Sequence, residues 1–324
     1  MKKIHILLIF FLLLFIFFEF IPIEEKDGAF IIQRGDNFLE VANNLKSRGY
    51  IRSKIVFIYE LIKDNKKSEI KAGKYNLEKE MNNQEIINII TKGFSSLSKI
   101  IIIPGTTIQD IANTLNKQTS ISQEDFFKLA LSNNKEITEE FSFLQDKPIE
   151  VGYEGYFFPD TYQIDFYQTK EDFIKIVFSN FDKRLNEDLR KNIEKNNRSI
   201  FETVIIASMI EKEVIVYEDK QMVSGILWKR LDSGVPLQVD SALLYFLSSD
   251  NPSVDDRNIE SWYNTYKYKG LPLTPICNPG IESIKAAIYP QNSDYWYYLN
   301  TRDGKTIFSK TLGEQLINKA KYLE

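Results

Sequence analysis

Glu211 closes the oily run Ala207-Ser208-Met209-Ile210-Glu211-Lys212-Glu213, and it matters because the usual rivals for a catalytic role are nearly absent. The chain has one histidine, His5, and one cysteine, Cys277. A Ser-His-Asp triad, a Cys-His pair, a multi-histidine metal site or a four-cysteine zinc site cannot be assembled from this chain alone. Proton transfers, if the chain performs any, fall to carboxylates. No metal or cofactor is expected, and Cys277 without a histidine partner reads as a small packed residue.

The helix that carries Glu211 announces itself at Ser199-Ile200-Phe201-Glu202, where Ser199 and Glu202 can satisfy each other's orphan amides as a capping box. From Val204 to Ile210 it is apolar on nearly every side apart from Ser208, the pattern of a buried helix. Glu211 shares a face with Val204, Ala207, Ser208 and Ile215, whereas Glu213 lies about 200° away. The spacing predicts Glu211 pointing into packed structure, and Lys212 and Glu213 facing water. Burial disfavours the charged form of a carboxylate, and a protonated glutamate is what a glycosidic bond needs, because the leaving alkoxide must receive a proton. A plain helix-end ion pair, with Arg230 for example, suits the same pattern, and the residues alone leave both readings open.

Other polar residues lie in aromatic or Gly/Pro surroundings. They include Glu154, Tyr156 and Asp160 within 154–162, Gln238 and Asp240, then Tyr263-Asn264-Thr265-Tyr266, and Asn278 before Pro279-Gly280. Aromatic faces pack on sugar rings while Asn, Gln and Asp bond hydroxyls and acetamides, so the mixture suits a glycan cleft. Each aromatic taken singly reads as a core residue before a cleft residue. Tyr295-Trp296-Tyr297-Tyr298-Leu299 reads as a core strand first and a cleft wall second.

The elements that must position these groups follow from periodicity. Phe38, Val41, Ala42 and Leu45 recur at i, i+3, i+4, i+7, as do Ile108, Ile111, Ala112 and Leu115. Each set follows a short apolar strand and a Gly turn, and the second copy lies 70 residues after the first, Gly105 against Gly35. The unit resembles a carbohydrate-recognition module of the LysM type; a common supersecondary unit used twice is the alternative. Between the copies the pattern predicts a helix over 53–63, a strand near 74–77 and a helix from Asn83 to a cap at Gly93, with a linker at 95–98. After residue 120 the pattern is helical, with a further capping box at Ser122; beyond Gly234 it reads as strands and long loops.

At the N-terminus, Lys2 and Lys3 precede an uninterrupted Leu/Ile/Phe run from Ile6 to Phe18. Ile4–Ile23 is close to the roughly 20 residues that span a bilayer, with the lysines on the inner side. A retained anchor fits better than a cleaved signal peptide, since no small-x-small cleavage pattern follows. The expected fold class is α+β: a transmembrane helix within 1–24, a small LysM-like α/β subdomain over 25–96, and a larger mixed catalytic domain over 97–324. The net charge of -4 carries no basic excess, which argues against a nucleic-acid partner.

In this order the motifs resemble the endolytic murein transglycosylase (MltG, YceG-like) family over most of the chain. They are the Pro104-Gly105-Thr106 turn, 154–162, Ala-Ser-Met-Ile-Glu-Lys-Glu at 207–213 and Arg230-Leu231. Leu237-Gln238 with Asp240, Tyr263-Asn264-Thr265-Tyr266, Gly270-Leu271-Pro272 and Asn278-Pro279-Gly280 follow, then Phe308-Ser309. The resemblance implies Glu211 as the catalytic residue and peptidoglycan glycan strands as the substrate. Glu154, Tyr156, Asp160, Gln238, Asp240, Tyr263, Asn264, Thr265, Tyr266 and Asn278 are expected to bind it. The implied setting is the outer side of the bacterial inner membrane, beside peptidoglycan synthases. The implied reaction cuts the β-1,4 bond between N-acetylmuramic acid and N-acetylglucosamine without water, Glu211 acting first as acid and then as base toward the muramoyl 6-hydroxyl. Three positions depart from the family: Ser241 replaces a proline, and Thr306 and Gln315 stand where histidines are usual. Two alternatives remain: a muramidase-type hydrolase pairing Glu211 with Asp240 or Glu154, and a non-catalytic peptidoglycan-binding scaffold.

Overall fold

The computed structural model describes residues 29–78, 81–92, 97–247 and 255–323. The anchor expected within 1–24 and the cap expected at Gly93 lie outside them. No helix among the described residues is long and apolar enough to cross a membrane. The chain divides into two compact units: one holds the described residues up to Lys99 together with Gln163–Gln168, the other Ile100–Tyr162 and Thr169 onward.

The first unit runs β1 (Phe30–Ile32), α1 (Phe38–Ser47), α2 (Lys54–Lys63), β2 (Gly73–Tyr75) and α3 (Asn83–Lys92). β1 and β2 pair antiparallel, Phe30 opposite Tyr75. Asn37 caps α1 through the Leu39 and Glu40 amides while Glu40 returns to the Asn37 N–H, a full capping box. Val41, Ala42 and Leu45 are buried with Phe57, Leu61 and the α3 isoleucines. The short segment Gln163–Gln168 is fixed here by Tyr167, whose hydroxyl donates to the Ile32 carbonyl at 3.0 Å, while Arg34 donates to the Tyr167 carbonyl at 3.0 Å.

The second strand-turn-helix copy forms as the periodicity predicts. β3 (Ser98–Ile102) leads through Gly105 into α4 (Ile108–Gln118), capped reciprocally by Thr107 and Asp110. β3 pairs with β4 (Asp160–Ile164). The remaining helices are α5 (Gln123–Leu131), α6 (Lys135–Glu140), α7 (Lys170–Arg184), α8 (Glu187–Lys195), α9 (Ile200–Glu213) and α10 (Tyr217–Asp232). After them come α11 (Asp240–Leu247), α12 (Ile281–Ile288), the hairpin β5 (Tyr297–Asn300) and β6 (Thr306–Ser309), and α13 (Leu312–Tyr322). The result is the mixed α+β architecture read from the sequence, but the region beyond Gly234 is more helical than expected. Pro, Gly and aromatics dominate the composition there and hide short helices such as α12, whose Ile284, Ala286 and Ala287 are buried.

α9 is the centre of this unit. Thr203 through Ile210 are all buried, and the helix packs on α12 and α10. Close approach is built into the chain at Gly155, where φ is +92° and a Cβ would lie 2.6 Å from Pro275 and 2.7 Å from Val204. An aromatic cluster packs beside it: Phe143 and Phe181 lie 4.7 Å apart, and Tyr156 lies 5.3 Å from Phe181.

Candidate active site

Helix α9 delivers Glu211 at its last turn with its side chain only 11% exposed. Three donors converge on the carboxylate. Gly280 N–H and the Ser283 hydroxyl reach Oε2 at 2.9 and 2.7 Å, and Lys220 Nζ stands 3.4 Å from Oε1. Lys220 comes from α10 and is itself buried, and Ser283 sits in the first turn of α12. The pocket is therefore polar and hydrogen-bonded rather than the apolar sleeve that the helix pattern suggests. The cation beside Glu211 is Lys220; Arg230 is engaged elsewhere.

The segment from Ile276 to Gly280 lies along α9. Ile276 N–H donates to the Ser208 hydroxyl at 3.0 Å, one helical turn before Glu211 receives Gly280. The Pro104-Gly105-Thr106 turn is clasped to the same segment by Gly105 N–H to the Asn278 carbonyl (2.9 Å) and Asn278 N–H to the Thr106 carbonyl (2.8 Å). Gly280 brings the turn and the glutamate together: a Cβ there would lie 3.3 Å from Pro104 and 3.4 Å from Glu211 Oε2.

Glu154 locks this arrangement from beneath. It accepts from Ile108 N–H at 3.0 Å, from the Asn278 side-chain amide at 3.0 Å and from the Tyr245 hydroxyl at 3.2 Å. Burial pushes its pKa up to about 7, with the Ile108 and Tyr245 bonds pulling the other way. Asn278 completes the lock by accepting from Phe157 N–H at 2.9 Å. Both residues hold the turn and the loop in register, and both are buried.

A cleft of about 510 Å³ opens beside Glu213, and Gln238, Asp240, Tyr266, Tyr297 and Tyr298 line it. Glu213 does not face open water as the helix pattern predicts. The β5 hairpin and α11 enclose its carboxyl: Asn300 donates to its backbone carbonyl at 2.8 Å, and Ser241 N–H reaches Oε1 at 3.4 Å. Proline at 241 could not make that second bond. Burial raises the Glu213 pKa, the Ser241 bonds oppose the rise, and the nearby Asp240 adds to it.

The other predicted residues divide by place. Gln238, Asp240 and Tyr266 share the cleft, with Tyr266 donating to Asp240 at 2.7 Å. Asn264 and Thr265 are buried staples: the Asn264 amide donates to the Arg257 and Ile259 carbonyls, and Thr265 accepts from Val239 N–H. Tyr263 bonds Thr274 at 2.7 Å and stacks near Tyr245 and Phe246. Tyr156 belongs to the aromatic core, fully buried, its hydroxyl meeting no hydrogen-bond partner among the described residues. Asp160 pairs with Arg184 at 2.9 Å and Asn180 at 3.0 Å, away from both carboxylate sites. Tyr297 and Tyr298 prove to be cleft wall; of the strand β5 only Leu299 is buried. Thr306 bonds Asn300 at 3.2 Å, and Gln315 joins α13 to the Tyr298 carbonyl and Ser309, both at 2.9 Å. Burial pushes the Cys277 thiol well up, and its Sγ donates to the Ser208 carbonyl. Among the described residues no cluster of His, Cys, Asp and Glu could hold a metal.

Lys220 and Ser283 are the partners of Glu211 that pattern reading missed. Lys220 stands among the polar residues opening α10, and Ser283 is one of many serines; only the packing of α9 on α10 and α12 reveals them.

Residues 30–321 match the YceG-like family. The chain belongs to that family. Over 93% of the chain it is 30% identical to an endolytic murein transglycosylase of Bacillus subtilis, covering 87% of that protein. A second endolytic murein transglycosylase, from Streptococcus pneumoniae, is 26% identical over 94% of the chain, which spans 60% of that longer relative. A crystal structure of a YceG-like protein from Listeria monocytogenes superposes with a TM-score of 0.62 at 28% identity, over 91% of this chain and 99% of the other.

Proposed function

We infer that this YceG-like chain is an endolytic murein transglycosylase, a lyase that cuts the β-1,4 bond between N-acetylmuramic acid and N-acetylglucosamine and leaves 1,6-anhydro ends. The observation that carries the reading is Glu211, a single carboxylate held by Gly280, Ser283 and Lys220 at the rim of the Pro104-Gly105 turn. Gly280 and Ser283 fix Oε2, so Oε1 is the oxygen that exchanges the proton. Glu211 protonates the leaving oxygen; the Lys220 ammonium then stabilises the carboxylate left behind. That carboxylate removes the proton of the muramoyl 6-hydroxyl as it attacks the anomeric carbon. One residue serves both steps, so no second carboxylate is required. Glu154 is already committed to Ile108, Asn278 and Tyr245, which argues against it as the base of a hydrolase.

The Lys2-Lys3 pair and the apolar run after it support a single-pass anchor with the N-terminus in the cytoplasm. The enzyme then acts on nascent strands outside the inner membrane, beside their synthases. The β1-α1-α2-β2 order of the first unit supports a LysM-like glycan-holding role. The test is to digest purified glycan strands with the protein and its Glu211→Gln variant and weigh the products. Fragments ending in anhydro sugars, made by the wild type and absent with the variant, are expected. Fragments heavier by one water make it a hydrolase, and binding without release makes it a scaffold.

A further inference from the structure

Gln238 adopts a left-handed backbone, φ +57°, although it is neither glycine nor asparagine. Such a conformation persists only where surrounding structure enforces it, and it often marks a functional position. Here the enforcement is visible. Gln238 N–H donates to the Thr265 carbonyl at 3.0 Å, and the next amide, Val239, donates to the Thr265 hydroxyl at 2.9 Å. The buried Arg230, held by the Pro236 and Trp296 carbonyls, donates to Gln238 Oε1. With Oε1 taken, the amide is oriented, and its Nε2 donor is left for the cleft.

Two residues on, Asp240 has the opposite polarity. Its Oδ1 is occupied by the Tyr266 hydroxyl at 2.7 Å and by Arg257 at 3.3 Å. Its Oδ2 takes no hydrogen bond among the described residues, so it remains an acceptor on a residue that lines the same cleft. A fixed donor and a fixed acceptor beside the aromatic wall of Tyr297 and Tyr298 match one chemical group: a secondary amide with a small apolar end. Its carbonyl accepts from Gln238, its N–H donates to Asp240, and its methyl packs on a ring.

We propose that Gln238 and Asp240 read the 2-acetamido group of the N-acetylglucosamine ring that flanks the reacting muramoyl ring. The inference rests on the transglycosylase reading. The cleft lies on the Glu213 face of α9 and not on the Glu211 face, so it serves a neighbouring ring. A peptide-stem amide offers the same chemistry, and the experiment separates the two sources.

Peptide-free glycan strands are prepared with their glucosamine acetamides intact or removed, the muramoyl acetamides being kept, and cleavage is followed for wild type, Gln238→Glu and Asp240→Asn. Gln238→Glu keeps the Arg230 contact and removes the donor; Asp240→Asn keeps the Oδ1 acceptor and turns Oδ2 into a donor. Wild type is expected to favour acetylated strands by at least about tenfold in kcat/KM. Both variants narrow that preference, slowing on acetylated strands by a larger factor than on de-acetylated ones. Equal slowing on both strands, or a wild type indifferent to the acetamide, overturns the assignment. A wild type that is indifferent to the acetamide on these strands, yet faster on otherwise identical strands that carry stem peptides, overturns it in favour of the stem. Loss of all cleavage by wild type would instead strike the transglycosylase reading itself.

Discussion

The Ser283 hydroxyl donates a 2.7 Å hydrogen bond to Glu211 Oε2, across 72 residues of chain. With Gly280 N–H on the same oxygen, it sets the direction in which the other oxygen points. Ser283→Ala removes one hydrogen bond and leaves the fold, so kcat is expected to fall about tenfold with little change in KM. Glu211→Gln is expected to abolish turnover. A Ser283→Ala enzyme as fast as wild type would show that Oε2 needs no second donor.

Lys220 and Glu211 form a pair shielded from water, with side chains 6% and 11% exposed. Removing one partner of such a pair strands the other. Lys220→Met is expected to cost on the order of 3 kcal/mol of stability. Combining it with Glu211→Gln should return at least about 1 kcal/mol of that. Denaturant unfolding of the four proteins gives the coupling directly; simple additivity would mean that the pair is idle.

Glu154 gives the fold a pH dependence. Its pKa in the folded chain, about 7, lies above its ordinary 4.5, with burial as the main cause. The folded state therefore prefers the neutral acid. That contribution is complete below about pH 4.5 and is lost as pH rises through about 7, with a ceiling of about 3 kcal/mol. Glu154→Gln is expected to flatten this part of the stability curve, measured by thermal unfolding from pH 4 to 8. An unchanged slope would mean that Glu154 is ionised at neutral pH.

Gly155 has no space for a side chain and a backbone that favours glycine. Gly155→Ala should destabilise by more than about 1 kcal/mol, because the new methyl meets Pro275 and Val204 and the left-handed φ adds strain. The melting temperature checks this, and a variant as stable as wild type would show that the Pro275 loop yields freely.

Cys277 is buried, and burial holds its thiol well above the usual range. Thiol reagents are expected to leave the native protein unmodified and to label it only on unfolding. Rapid native labelling would show that the 276–280 segment opens away from α9.

Much of the local structure was written in short-range chemistry. The Ser199–Glu202 box read from the sequence forms, and so do reciprocal caps at Asn37–Glu40 and Thr107–Asp110, since each needs only residues three apart; of the box read at Ser122, the bond from Asp125 N–H to the Ser122 hydroxyl forms. The burial of α9 followed from its all-round apolar surface. What pattern reading missed depends on distant neighbours. Glu213 is polar at a helix end and looks solvated, until the β5 hairpin, more than 80 residues later, encloses it. Tyr156 and Asn264 sit in motifs of polar and aromatic residues that suggest a cleft, yet the first fills the core and the second staples a loop. A side chain's type does not say whether its partner will be a substrate or the protein itself.

The segment Gln163–Gln168 belongs to the compact unit at the other end of the sequence. The chain thus passes between its two units three times rather than once. A single cut near residue 99 would not yield a clean half: it would leave Tyr167 without the Ile32 carbonyl and Arg34 that hold it. Any exchange of the smaller unit for a foreign module must therefore be spliced at two places at once. A tolerated truncation at 99 would have to re-solve the folding of a loop in the middle of the larger unit.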